Sequence, residues 1–191
     1  MTQHVPHVNH RFSSLDINRL GLWLFLVSDA SFFIALLSAR FFVVGTSRPD
    51  GVNQLLGLGL TVLLLLSSLS AYRAEAAAEH GDRRTAMRML LATMGMGVVF
   101  LFGVGFEWYE AFKHFPPSSA FGTVLFTLTG VHAFHVVTGI LTLGFVYFRL
   151  RATPTAADGA EDQWIVEGAV KWWHFVDVAW VFIYPTLYLV G

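Results

Sequence analysis

The chain has no cysteine and little charge. None of its 191 residues is Cys, and only 13% are Asp, Glu, Lys or Arg. The absence of cysteine excludes disulfides, thiolate metal sites and cysteine nucleophiles. A soluble domain carries about 25% charged residues, so this chain has too few charges to cover a surface that faces water. We therefore expect the lipid bilayer to be its solvent.

Other common signals are also missing. The net charge is −1, so nothing indicates a nucleic-acid partner or an acidic partner surface. The chain contains no glycine-rich phosphate loop, no nucleophile–base arrangement and no internal repeat. It is therefore not expected to carry out redox chemistry or hydrolysis by itself.

Apolar bulk dominates the composition. Hydrophobic residues make up 55% of the chain and aromatic residues 15%, with 18 Phe and 6 Trp, and the mean hydropathy is +0.59. A membrane-spanning helix needs about 20 largely apolar residues, and five stretches meet that need. The predicted helices cover approximately residues 20–44, 54–79, 86–114, 118–149 and 166–190.

These stretches predict an all-α membrane protein, a bundle of five transmembrane helices. Residues 1–19 are predicted to form a polar cytoplasmic tail, and residues 20–191 a single transmembrane domain. The tail has no signal-peptide hydrophobic region, so the first helix is expected to act as its own insertion signal. Pro116-Pro117 closes the third helix and Gly81-Asp82 separates the second from the third.

The distribution of positive charge predicts the orientation. Nine Lys and Arg residues fall on the side of the N-terminus and three on the other side. The nine are Arg11, Arg19, Arg73, Arg83, Arg84, Arg88, Arg149, Arg151 and Lys171. Because cytoplasmic loops carry the excess of positive charge, we expect a cytoplasmic N-terminus and a periplasmic, or external, C-terminus.

Ionisable residues inside a span are costly, and each therefore suggests a role. Seven residues of the predicted helices are candidates for lipid or partner contact: Asp29, Glu107, Glu110, His132, His135, His174 and Asp177. For Asp29, two interpretations remain open. It is either a buried carboxyl held by a neighbouring helix or a carboxyl linked to protons or to a partner.

His132 and His135 lie three residues apart, with Thr129 and Gly139 on the same small, polar stripe. Such a stripe suits close helix packing, whereas histidine is also the commonest metal ligand. Two imidazoles at this spacing cannot both be axial ligands of one haem. The remaining span histidine, His174, lies at a different depth, so intrinsic haem binding is not expected.

Glu107 and Glu110 also share a face. Measured from the Pro116-Pro117 hinge at ~1.5 Å per residue, Glu107 lies ~14 Å down its helix and His132 ~23 Å down the next. A carboxylate–histidine contact is possible only through tilt, and a four-ligand metal centre is not expected. Structural hydrogen bonding, lipid head-group contact and a proton-linked role remain open.

The last helix carries His174 and Asp177 on one face. These two side chains are expected to pair with each other or to reach across to the first helix. Asp29 and Asp177 share a depth that is compatible with one polar cluster. Pro185 frees the carbonyl of Val181 and should kink the outer half of the helix.

Four stretches of the chain resemble one known family. They are residues 172–180 (WWHFVDVAW), 129–139 (TGVHAFHVVTG), 22–33 (LWLFLVSDASFF) and 105–110 (GFEWYE). Together they resemble subunit III of the haem–copper oxidases, the family of cytochrome c oxidase and the bacterial quinol oxidases, in its five-helix bacterial form. The resemblance covers nearly the whole chain from Leu20 onward. Many members carry Glu where this chain has Asp29, and mitochondrial members have two further helices at the start.

The resemblance implies a non-catalytic subunit of a proton-pumping terminal oxidase in a bacterial inner membrane. Such a subunit has no metal of its own, because haem and copper belong to its partner subunits. It packs on subunit I, in a complex with subunit II and a small subunit IV. It also holds phospholipid and supports proton uptake from the cytoplasm.

Three alternatives remain open beside this interpretation. An accessory protein of nitric-oxide reductase would resemble the same family. A small proton-coupled transporter would use Asp29, His132 and Glu107, although transporters usually show broken helices and paired repeats, and neither is visible here. A haem b electron carrier is the third alternative, and a visible spectrum of the isolated chain would test it.

Overall fold

The structure is a computed structural model that describes residues 13–46, 53–152 and 159–190. Those residues form helices joined by short turns. The helices are α1 (Ser14–Val44), α2 (Gln54–Glu79), α3 (Arg83–His114), α4 (Ala120–Ala152) and α5 (Gly159–Tyr184), and a π-helical turn (Pro185–Leu189) follows α5. The described residues thus form five α-helices and no strand, in agreement with the predicted all-α class and the predicted number of helices.

α1 begins at Ser14, well before the predicted start at residue 20. A capping box produces the early start: the Ser13 hydroxyl accepts from the backbone N–H of Asp16, and the Asp16 carboxylate accepts from the N–H of Ser13 at 3.1 Å. Hydrogen bonds from Ser13 also hold the pKa of Asp16 below its usual value. This turn is polar, so hydropathy alone does not detect it.

Several other helix ends differ from the predicted ones for the same reason. α2 spans 54–79 as predicted, but α3 begins at Arg83, where the Asp82 side chain accepts from the N–H of Thr85. α4 continues to Ala152 and α5 already starts at Gly159. Each extra segment is polar, and helical hydrogen bonding continues into it from the apolar centre of the helix.

Four of the helices form a closed arrangement. α2 packs against α3 and α5, and α4 packs against α3 and α5, while α1 lies outside against α4 and α5. α5 therefore has α2, α4 and α1 as neighbours. α1 buries few side chains, namely Leu26, Phe33 and Arg40.

Trp173 marks the centre of the bundle. Its ring is fully buried and lies against two glycines, Gly97 of α3 and Gly139 of α4. A Cβ atom on Gly97 would lie 2.6 Å from the ring, and one on Gly139 would lie 2.8 Å from it. The Trp173 indole N–H donates to the Ser67 hydroxyl of α2 at 3.0 Å. One side chain of α5 thus contacts α2, α3 and α4, and the glycines make room for it.

Four of the described helices, α1 to α4, are long and apolar enough to cross a membrane. Their outer faces expose large hydrophobic side chains such as Phe42, Leu55 and Phe102. α5 carries Glu167, Lys171 and Asp177 and is not among those four. The chain is therefore a membrane protein with several apolar helices.

Pro185 changes the helix type. Proline has no N–H to continue the α-helical pattern, and α5 ends at Tyr184. The Val190 N–H donates to the Pro185 carbonyl at 3.0 Å, which closes a wide π turn. We expected a kink at this proline, and the structure has a wide turn there.

Candidate functional site

Asp29 of α1 meets His135 of α4. The His135 Nε2 atom lies 3.2 Å from the Asp29 Oδ2 atom, and the His135 Nδ1 atom lies 2.7 Å from the Val131 carbonyl oxygen. Because a carbonyl only accepts, Nδ1 must carry a proton. The Asp29 Oδ2 atom has no hydrogen bond to another described residue. The pair is therefore a close approach of two ionisable side chains between α1 and α4.

This pair lines a cleft of about 580 Å³ between α1, α4 and α5. The other residues that line it are Leu22, Phe25, Phe134, Thr138, Thr142, Phe145, Val146, Trp164, Ile165, Gly168, Ala169 and Trp172. Most of these side chains are apolar, and five are aromatic. We call this space the α1–α4–α5 cleft, and its lining suits an apolar molecule with the polar pair on its wall.

Glu107 of α3 meets Tyr188 of the π turn. Glu107 is 6% exposed and Tyr188 is fully buried, and the Tyr188 hydroxyl donates to the Glu107 Oε1 atom. The Glu107 Oε2 atom has no hydrogen-bond partner among the described residues. A small cavity of about 30 Å³ adjoins it, lined in part by Asn53 and Glu110. That volume suits one or two water molecules.

A glycine of α2 allows this contact. Tyr184 and Tyr188 stack at 5.2 Å between ring centroids, and both rings lie against Gly57. A Cβ atom at Gly57 would lie 2.9 Å from the Tyr188 ring. Nothing in the sequence indicates that these two tyrosines meet Glu107, which lies on a different helix.

Glu107 and His132 do not form the contact that tilt would have allowed. His132 is fully buried, with ring centroids 5.5 Å from Phe100 and 4.9 Å from Trp180. Neither ring nitrogen has a hydrogen-bond partner within the described part of the chain. His132 therefore packs as an aromatic ring, whereas His135 faces α1.

His174 and Asp177 meet α2 at Ser68. The Ser68 hydroxyl lies 2.6 Å from the His174 Nδ1 atom and next to the Asp177 carboxyl. Asp177 is 3% exposed. Neither of its carboxyl oxygens forms a hydrogen bond with residues 13–46, 53–152 or 159–190. Asp29 lies against His135 instead, and no hydrogen bond among the described residues joins the two aspartates into the cluster that their depths would have allowed.

Glu110 differs from the other six residues because it is exposed. Its carboxylate pairs with Lys113 at 2.8 Å, one turn along α3. The Lys113 ammonium also lies 4.1 Å from the centroid of the Tyr109 ring. Within the residues that the structure describes, no group of three His, Asp or Glu side chains could hold a metal ion.

One ion-pair network was missed by sequence reasoning. The Arg19 guanidinium of α1 donates two hydrogen bonds to Glu167 of α5, at 3.2 and 2.8 Å, and Lys171 donates to the same carboxylate. Arg19 and Glu167 are 148 positions apart. The only sequence signal is that both flank apolar stretches, which does not indicate a pair.

The site and the fold together define the class of protein to which this chain belongs. The chain is an α-helical membrane protein whose intramembrane polar groups contact one another or aromatic rings. The sequence profile of the family described as "Cytochrome c oxidase subunit III" matches residues 3–191. The chain belongs to that family.

Relatives from several groups of organisms support the assignment. A probable cytochrome c oxidase subunit 3 of Nocardia farcinica is 29% identical over 190 residues, covering 95% of this chain and 92% of the relative. The cytochrome c oxidase subunit 3 of Corynebacterium diphtheriae is 31% identical over 185 residues, covering 90% and 87%. That of Podospora anserina is 31% identical over 184 residues, covering 90% of this chain and 67% of the relative.

Family membership establishes the kind of function. The chain is a non-catalytic subunit of a haem–copper oxidase. It has no redox centre of its own and works in a complex with other oxidase subunits.

Proposed function

We propose that the chain is subunit III of a proton-pumping terminal oxidase in a bacterial cytoplasmic membrane. It packs on subunit I, in a complex with subunit II and a small subunit IV, and the haem and copper lie in those partners. It binds phospholipid and supports proton uptake from the cytoplasm. Its seven intramembrane or membrane-surface polar residues serve as contacts to lipid, to partners or to each other.

In this proposal α5 is a fifth span. α5 has 26 residues, or ~39 Å at 1.5 Å per residue, which exceeds the ~30 Å hydrocarbon core. Its polar Asp177 is buried against the bundle, so it does not need to face lipid. With five spans, nine of the twelve positive charges would lie on one side of the membrane, which supports a cytoplasmic position for residues 1–19 and an external C-terminus.

Phospholipid binding is supported by the shape and ends of the α1–α4–α5 cleft. Arg19 lies three residues before the cleft residue Leu22, and Arg149 lies four residues after the cleft residue Phe145. Both arginines thus continue cleft-lining rows towards the proposed cytoplasmic surface. In this arrangement acyl chains occupy the cleft and a phosphate group lies near the arginines.

The proton-linked role rests on one observation, the Asp29–His135 pair on the wall of that cleft. The two ionisable side chains lie on a cleft wall that continues through Leu22 and Trp164 towards the proposed cytoplasmic side. This position supports a link to proton uptake from that side. The other buried groups, Glu107, His132, His174 and Asp177, are assigned to packing and partner contacts.

The test is purification from native membranes in mild detergent through a tag on the C-terminus. Mass spectrometry of the co-purifying proteins and an optical spectrum would follow. We expect a large, many-helix partner together with bands of haem a, b or o. A colourless, solitary protein would overturn the proposal in favour of a transporter, and a partner with the metals of a nitric-oxide reductase would assign the chain to that enzyme.

A further inference from the structure

α1 is attached to the rest of the bundle by few buried side chains. Three of its 31 residues are buried, namely Leu26, Phe33 and Arg40. Contact between transmembrane helices gains no hydrophobic driving force, because lipid tails are as apolar as the side chains they replace. The position of α1 therefore depends on its polar contacts and on close packing.

Three ionisable side chains of α1 contact other helices, about three turns apart along α1. From the proposed cytoplasmic end outwards, the contacts are Arg19 with Glu167 of α5, Asp29 with His135 of α4, and Arg40 with the Phe121 ring of α4. α1 is thus held at its inner end, at its middle and at its outer end.

The inner half of α1 is one wall of the α1–α4–α5 cleft. Its residues Leu22 and Phe25 line the cleft, together with Asp29. They lie between the inner and the middle contact in the sequence. The other two walls belong to α4 and α5, which pack directly on each other. The wall that can move without separating α4 from α5 is therefore the inner half of α1.

The contact between Arg19 and Glu167 is the one that faces water. The Arg19 side chain is 50% exposed, and exposed ion pairs are weakened by salt and contribute little stability. Lys171 donates to the same Glu167 carboxylate. When Arg19 leaves, Glu167 therefore keeps a positively charged partner, and the guanidinium is free to bind a phosphate group.

α1 can bend beyond the part that covers the cleft. The Ser31 hydroxyl donates to the Val27 carbonyl at 3.0 Å, and the Ser38 hydroxyl donates to the Ile34 carbonyl at 2.8 Å. Serine hydroxyls that bond one turn back along a helix weaken it locally and often bend it. Ser31 follows Asp29 by two residues, so a bend there separates the inner half of α1 from the outer half.

We propose that the inner half of α1, residues 14–28, is a lateral gate of the α1–α4–α5 cleft, and that the Arg19–Glu167 ion pair holds this gate closed. This inference rests on the proposed binding of phospholipid in the cleft. A phosphate group that takes Arg19 from Glu167 opens the gate, and the acyl chains then enter sideways from the bilayer. The contacts of Asp29 and Arg40 keep the outer half of α1 in place.

Distance measurements by pulsed EPR in the intact complex test the movement. Ile17→p-acetylphenylalanine in α1 and Phe148→p-acetylphenylalanine in α4 carry nitroxide labels near the inner end, where both residues are exposed. The matched pair at the outer end is Phe42→p-acetylphenylalanine in α1 and Thr127→p-acetylphenylalanine in α4, also at exposed positions. The labels react with the keto group, so cysteines of partner subunits do not interfere.

Glu167→Gln is the variant that weakens the gate, because it removes the negative charge that Arg19 contacts. We expect longer and broader distances for the inner pair of labels and unchanged distances for the outer pair. Glu110→Gln is the control, because it removes an exposed ion pair that lies within α3, and it should change neither distance. Unchanged inner distances in Glu167→Gln would overturn the inference, and so would equal changes in both pairs.

Exchange of bound phospholipid connects the movement to the cleft. Native mass spectrometry follows the replacement of retained phospholipid by deuterated phospholipid. We expect exchange about two- to fivefold faster in Glu167→Gln than in the wild type or Glu110→Gln. High salt should accelerate exchange in the wild type and have little further effect in Glu167→Gln.

The outcomes separate the gate from the proposed function. A wild-type complex that retains no phospholipid would contradict the proposed lipid binding and, with it, the gate. Retained phospholipid that exchanges at the same rate in the wild type and in Glu167→Gln would reject the gate alone.

Discussion

At the scale of single residues, the buried polar groups are distributed among separate contacts. Asp29 meets His135, Glu107 meets Tyr188, and His174 meets Ser68. An unsatisfied polar group in hydrocarbon costs several kcal/mol, and each of these side chains approaches a polar or ionisable neighbour on another helix or turn. These residues thus join pairs of helices at several positions, and they do not converge on one centre.

The Glu107–Tyr188 contact leads to a test of stability. Glu107→Leu leaves the buried Tyr188 hydroxyl without its acceptor, and we expect a loss of about 1–3 kcal/mol. Glu107→Gln keeps a carbonyl acceptor and should cost less. Adding Tyr188→Phe to Glu107→Leu should cost less than the sum of the single changes. The measurement is unfolding of the purified complex in detergent micelles.

Glu110→Gln is the control for that series. Glu110 is exposed and its partner Lys113 is exposed as well, so its removal should change stability by less than about 1 kcal/mol. If Glu110→Gln were as damaging as Glu107→Leu, burial would not be the cause of the effect.

The Asp29–His135 pair predicts a separation of structure from proton handling. In Asp29→Asn, an amide N–H can donate to His135 Nε2, so assembly and stability should remain near the wild type. The amide cannot ionise, however, and proton uptake during sustained turnover should decrease. The measurement is proton uptake and oxygen consumption by the oxidase in vesicles, for the wild type, Asp29→Asn and Asp29→Ala. Asp29→Ala is the comparison variant because its side chain can neither bond to His135 nor ionise. Wild-type proton uptake in Asp29→Asn would show that the pair serves packing alone.

The sequence placed these residues at membrane depth but did not identify their partners. Periodicity along one helix shows which side chains share a face. It does not show the rotation and tilt between helices, on which the contact of Glu107 with Tyr188, 81 positions away, depends. For that reason the sequence could not exclude a Glu107–His132 contact, which the structure does not have, and could not predict the Arg19–Glu167 pair, which it does have.

At the scale of helices, the apolar centres were predicted well and the ends less well. The polar caps at Ser13 and Asp82 begin α1 and α3 outside the apolar stretches. Hydropathy measures the part of a helix that lies in lipid, whereas hydrogen bonding determines where the helix stops. Pro185 was expected to kink α5, but the structure forms a π turn that the proline rule alone does not specify.

Close packing around Trp173 yields a prediction about α4. A methyl group at Gly139 would lie 2.8 Å from the Trp173 ring, so Gly139→Ala should destabilise the bundle by about 1–3 kcal/mol. Gly144→Ala is the control on the same helix, because its nearest neighbour would be Met94 at 3.8 Å. We expect this control to be neutral or mildly stabilising. Comparable losses from both variants in micelle unfolding would contradict the packing argument.

At the scale of the whole molecule, composition predicted the class and motifs predicted the family. The shortage of charge led to a membrane bundle, and the stretches at 129–139 and 172–180 led to the oxidase family, which residues 3–191 match. The arrangement of the helices was not predictable in this way. That α1 packs on α4 and α5, but not extensively on α2, follows from surface fit between distant segments.

The α1–α4–α5 cleft gives a prediction at this scale. Gly168 lines the cleft, and a Cβ atom there would meet nothing within 4 Å, so Gly168→Leu adds a side chain to the cleft without a clash at its Cβ atom. Gly105→Leu is the matched control, because Gly105 also has open space but lies on α3, outside the cleft. Native mass spectrometry should show less phospholipid retained by Gly168→Leu than by Gly105→Leu. Equal retention would place the lipid elsewhere.

The peripheral position of α1 has a consequence for biosynthesis. Its partners α4 and α5 are made last, and Glu167 follows Arg19 by 148 residues. At roughly 5–20 residues per second, translation takes ~7–30 s to cover that interval. During this time α1 must stay in the bilayer, with Asp29 facing lipid or the insertion machinery. Its long apolar surface provides that stability before assembly, so the most exposed helix is also the one that waits longest for its neighbours.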